Sequence, residues 1–87
     1  MRIEGNTVIF RSTPSMYEVE ENGKKPNTVR ILDDDETLLV ATIGKDLTRI
    51  RIERWGHRGF TRELTDISKI GELLGKSVYV FSWRHGD

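Results

Sequence analysis

The sequence predicts an α+β domain: a small, mostly antiparallel curved sheet or partly open β-barrel with two short helices. Three observations carry this. Residues 48–55 and 28–32 alternate apolar and polar, the pattern of half-buried strands. Gly56-His57-Arg58-Gly59 separates the first of these from Phe60–Leu64, which reads as a hairpin and so as antiparallel pairing. Val78–Trp83 is apolar on both faces, the mark of a strand lying between others.

The elements follow in order. Thr7-Val8-Ile9-Phe10 is β-branched and aromatic and forms a first strand. Pro14 suits a first helical position, Ser15 and Glu18 have capping-box spacing, and Asn22-Gly23 ends the helix, giving a span of about 15–21. Thr28–Leu32 is the next strand, and Asp33–Glu36 reads as an acidic turn. Residues 37–43 fit a strand or a short helix, and Val40, Thr42 and Ile43 favour strand. Gly44–Asp46 turns into the alternating strand, in which Ile50 and Ile52 oppose Arg49, Arg51 and Glu53. Thr65 or Asp66 caps a second helix running to about Leu74, with Ile67, Ile70, Leu73 and Leu74 on one face and Gly75 at its end. The last strand is expected to bury Val78, Val80 and Phe81. Segments near the ends and around residues 20–27 carry the weakest order signals.

The chain has 87 residues, room for one core, so 1–87 is taken as a single domain. Fourteen Lys and Arg balance fourteen Asp and Glu, which argues against bulk electrostatic binding of nucleic acid but leaves room for a local basic patch. Without cysteine there is no disulfide framework, thiolate site or Cys nucleophile, and two distant histidines, His57 and His85, argue against a dedicated transition-metal site. No cofactor motif is present. No apolar run reaches membrane-spanning length and no secretory signal is visible, so a cytoplasmic location and no membrane partner are expected.

Gly23-Lys24-Lys25-Pro26-Asn27-Thr28-Val29-Arg30 lies between the first helix and the next strand. Thr28 and Arg30 share one face of that strand, with Lys24 and Lys25 just before it. A hydroxyl, a guanidinium and ammonium groups together suit a phosphate, a carboxylate or a base edge. The plainer alternative is that the lysines are solvated and Arg30 pairs with the 33–36 acidic run. On the binding reading, Val29 and Ile31 turn inward to the core. The spacing Gly-x-Lys-x-x-Thr-x-Arg resembles the signature of ASCH domains of the PUA-like superfamily. That resemblance implies a small β-barrel with accessory helices and a nucleic-acid or nucleotide ligand. One ASCH branch, amidohydrolases acting on a modified nucleoside, implies a catalytic Lys and Thr, matched by Lys25 and Thr28. Its Glu is not fixed by the motif, and Glu53 and Glu63 are the candidates by element order. A second resemblance, through Asn27–Arg30 and the segments 60–67 and 81–83, is to small uncharacterised phage and prophage proteins.

The other concentration of charge is the hairpin. Residues 45–63 hold six Lys or Arg against three acids, and Trp55 and Phe60 flank the loop. Basic and aromatic side chains on a hairpin suit single-strand contact, with Arg54, Trp55, Arg58 and Arg62 as the residues; a plain polar outer face is the alternative. The acidic residues Glu18, Glu20 and Glu21 read as solvated surface. The leading functional expectation is a nucleic-acid or nucleotide-binding module built on Lys25, Thr28 and Arg30, with RNA, DNA or a nucleotide as partner and no assigned catalytic residue. The alternatives are a phage-type module that docks on a host protein, and the amidohydrolase.

Overall fold

The computed structural model describes residues 1–84, apart from the side chains of His57 and Arg58; His85 of the sequence reading lies outside the described residues. Six strands and two helices follow in the order β1 (Arg2–Glu4), β2 (Thr7–Arg11), α1 (Pro14–Glu21), β3 (Asn27–Leu32), α2 (Asp34–Ile43), β4 (Arg49–Arg54), β5 (His57–Leu73) and β6 (Lys76–Arg84), with a 3-10 turn at Gly44–Asp46 before β4. The strands form one sheet in the order β1-β2-β4-β5-β6-β3. Among the described residues, only β2 and β4 pair in parallel. The sheet is open. β1 and β3 are its two edges and do not pair, so the barrel alternative gives way to an open sheet.

Both helices contribute to one face. Val8, Phe10, Ile50, Ile52, Phe60, Phe81 and Trp83 point to that face and pack with Tyr17 of α1, Val40 of α2 and Leu47. Phe81 anchors the middle of the core, edge-on to Phe10 with centroids 4.8 Å apart. The last strand lies between β5 and β3, as its two-sided apolar pattern predicts. It buries Phe81 and Trp83, however, while Val78 and Val80 point to the other face and are only partly covered.

Two elements differ from the sequence reading. Residues 34–43 are helical. Asp33 is the N-cap, its carboxylate accepting from Glu36 N at 2.8 Å, and the Glu36 carboxylate accepts from Asp33 N at 3.3 Å. The acidic run that reads as a turn is thus a capping box followed by an acidic first turn, favourable at the positive end of a helix. Conversely, 65–74 is strand, not helix. β5 carries register shifts at 64–66 and 69–71 against β6. Each inserts one residue, Thr65 and Ile70; the first sets the inward Leu64 and Ile67 three apart, and the unpaired Ile70 follows three further on, so the apolar residues imitate a helical period. In α1 the cap is Thr13, whose hydroxyl accepts from Met16 N, rather than Ser15. A third irregularity sits where β4 meets β5: Gly59 has φ +88°, and a Cβ there would run into the Ile52 carbonyl oxygen.

Candidate functional site

The 23–30 segment is built into the interior on its covered side. Thr28 is buried, and its hydroxyl accepts from Arg30 Nε at 2.9 Å. Arg30 also donates to the Arg11 carbonyl at 2.8 Å and to Ser12 Oγ at 2.6 Å, and its guanidinium lies 4.7 Å from the Phe10 ring centroid. Burial pulls the Arg30 pKa below its ordinary value, against the opposing pull of the Glu20 charge. Ser12 in turn donates to Glu20 Oε1 at 2.7 Å, and Glu20 is fully buried. Arg30 therefore bonds inside this cluster and not to the 33–36 acids, which cap α2.

Glu20 is the acid that sequence reasoning missed. It lies three residues after the buried Tyr17, so it falls on the inner side of α1, and that spacing was the available signal. The acids expected to join Lys25 and Thr28 do not. Glu53 and Glu63 point to the opposite face of the sheet, as their register with the inward Ile52 and Leu64 requires. Glu53 accepts from Arg51 at 3.1 Å, and Glu63 pairs with Arg84 at 3.8 Å. Lys24 is exposed on the loop before β3. Lys25 is half-buried, its backbone N–H donating to the Val19 carbonyl at 3.0 Å. Val29 and Ile31, expected in the core, are instead about half exposed, at 49% and 50%. β3 thus has the reverse polarity: Thr28 and Arg30 face inward, and the two aliphatics face out.

The hairpin end is different. Trp55 is 83% exposed at the β4–β5 turn, and the Arg11 guanidinium sits 5.6 Å from its ring centroid. Arg54 lies 5.4 Å from the Tyr17 ring on the covered face. Arg62 lies 4.7 Å from the Phe60 ring and donates to the Glu21 carbonyl at 3.3 Å, so it ties β5 to α1. Arg58 contributes its backbone to the start of β5. Of the four residues picked from the hairpin sequence, Trp55 is presented to solvent while Arg54 and Arg62 brace the interior. Arg11, outside the hairpin in sequence, joins Trp55 because β2 runs beside β4.

Between α1 and Arg54 lies a groove of about 670 Å³ lined by Pro14, Ser15, Tyr17, Glu18, Glu21 and Arg54. Two carboxylates on its wall make it a poor channel for a phosphate backbone. Among the described residues, no group of three or more His, Cys, Asp or Glu is placed to hold a metal. Among the described residues, no helix is long and apolar enough to cross a membrane.

Comparison with protein-family models, with curated proteins and with solved structures found no match for this chain.

Proposed function

We propose that the protein is a small binding module for single-stranded nucleic acid that works through the β4–β5 hairpin end, with Trp55 as a stacking platform. The observation that carries this is the Trp55 ring, 83% exposed beside the Arg11 guanidinium. An indole left in water gives up area that burial would reward, and a base offers it a flat apolar partner. Arg11 supplies a cation to an incoming phosphate. The reading moves away from Thr28 and Arg30, whose hydrogen-bonding groups are engaged with one another. Lys24 and Lys25 remain the part of the ASCH-like segment open to a ligand. With zero net charge, few phosphates are neutralised, so affinity is modest and its salt dependence shallow.

The two tryptophans make the test direct. Trp83 is buried and Trp55 is exposed, so quenching of emission by short oligo-dT or oligo-U reports on the hairpin end. Saturable quenching at about 50 mM salt, weakened at about 200 mM, is expected. Trp55→Ala is expected to lose about 1–3 kcal/mol of binding, the scale of one base stack. Absence of quenching at low salt would overturn the reading. A second reading, a protein-docking module, is favoured by one observation: the exposed aliphatics of β3.

A further inference from the structure

The face of the sheet turned away from the helices is uncovered over β3, β6 and the far end of β5. Strand pairing fixes what lies there. Val29 stands opposite Val80, and Ile31 opposite Val78. Leu73 is level with Lys76, which shares the Val78 face by alternation. Val29, Ile31 and Leu73 are about half exposed, and Val78 and Val80 are partly exposed. These five aliphatics form one stripe. Three of the five are about half exposed, so the stripe leaves contiguous apolar surface in water along the strands.

The charges of this stretch lie at its two ends. At one end Asp66 is level with Ser82, and the Glu63–Arg84 pair, 3.8 Å apart, lies just beyond it, so that end keeps one negative charge in excess; at the other end Lys76 is level with Leu73. Asp66 is tied to its neighbour, accepting from the Ser68 hydroxyl on the same face. A two-fold axis lying in the interface, across the strands, reverses the strand direction of the second copy. It keeps apolar on apolar and carries each Lys76 to the end where the other copy holds Asp66. The same face is therefore complementary to itself, as an isologous contact requires.

We infer that two copies of this chain pack face to face through β3, β6 and the end of β5, with strands antiparallel across the interface, Val29, Ile31, Leu73, Val78 and Val80 at its centre and Lys76 near the partner's Asp66. Aligned packing of two sheets about 10 Å apart is the geometry this gives. The inference is independent of the nucleic-acid reading, since Trp55 lies at the other hairpin.

Sedimentation equilibrium of the whole chain tests it. A weak, reversible dimer, with a dissociation constant on the order of 10 μM, is expected for a contact centred on five aliphatic side chains. Ile31→Lys is expected to raise that constant at least tenfold, and Trp55→Ala to leave it unchanged. The paired variant Val29→Thr with Ile31→Thr keeps the β-branched shape of the strand and is expected to weaken association in the same direction, which separates loss of the contact from loss of the fold. Lys76→Glu and Asp66→Lys each weaken the dimer, and the two combined restore it. A monomer at all concentrations up to about 20 times that constant, or a dimer indifferent to both the Ile31→Lys and the double Thr variant, would overturn the inference. Failure of the charge exchange to restore association would overturn the antiparallel arrangement.

Discussion

The two halves of the open sheet face solve the same problem differently. Over β1, β2 and β4, Ile9 points away from the helices yet is only 3% exposed. It lies between Arg2 and Arg51, its register partners, and both guanidinium groups pair with Glu53, at 3.3 and 3.1 Å. Long charged side chains lie across the strand and cover it with their own stems. Over β3 and β6, Val29 and Ile31 stand beside Val80 and Val78, with Ser68 and Gly71 next across the sheet, all too short to do this, and Val29 and Ile31 stay about half exposed. A sheet face without helices can thus be closed by an ion-paired lattice or left open to a partner, and the neighbours across the strands decide which.

The largest expected effect comes from β3 itself, whose two sides make the contrast within six residues. Arg30→Ala removes three hydrogen bonds and leaves Glu20 buried without the charge of Arg30. A loss of about 3 kcal/mol in a denaturant melt is expected, the scale for breaking a buried charged cluster. Oligonucleotide binding by the folded variant stays near that of the parent. A melt unchanged within error would show that the cluster does not hold α1 to the sheet.

Next is Ile9→Ala, expected to cost about 2–3 kcal/mol because the ion-paired cover cannot collapse into the space. Ile31→Ala, on the open half, is expected to cost about 1 kcal/mol or less in dilute monomer. Equal losses at the two sites would erase the distinction between the halves.

The legibility of these features in the sequence follows the same physics. β4 and the start of β5 were readable because Ile50 and Ile52 alternate without interruption and a glycine-containing loop follows. The end of β5 was not, because inserted Thr65 and Ile70 change a spacing of two into a spacing of three. α2 was hidden in an apolar run whose decisive signal, the Asp33–Glu36 capping box, also reads as a turn. At the candidate site, the shared face of Thr28 and Arg30 was legible from alternation, but its direction was not. Alternation fixes which residues go together, and only the partner strand β6 fixes which set is inside. The pairing of Arg11 with Trp55 depends on a parallel contact between strands some forty residues apart and has no local signal.

A smaller effect is expected at the β5–β6 turn. Leu74 has φ +52° and is 94% exposed, followed by Gly75 at φ +79°. Both turn residues are left-handed, the conformation of a hairpin turn that favours Asn-Gly. Leu74→Asn is expected to stabilise the monomer by about 0.5–1 kcal/mol, since the side chain it replaces buries nothing and strains the backbone. A loss of stability would mean that Leu74 packs on something the isolated chain provides.

The smallest effect tests the charged half directly. Burial works to raise the Glu53 carboxyl, but the hydrogen bond from Arg51 and the charge and hydrogen bond of Arg2 outweigh it, so its pKa lies below the ordinary value. A carboxyl lowered by folding adds stability above its unfolded pKa of about 4.3, and that contribution disappears as pH falls through the lower folded value. Glu53→Gln is therefore expected to be less stable than the parent by under about 1 kcal/mol at pH 7, the range of ion pairs that water still reaches. The two proteins should converge in acid, once the parent carboxyl is protonated as well. Denaturant melts of both at pH 7, 5 and 3 measure this difference. A gap that persists unchanged to pH 3 would assign the effect to packing over Ile9 rather than to charge, and the cover on this half of the sheet would then be steric, maintained by the length of Arg2 and Arg51 alone.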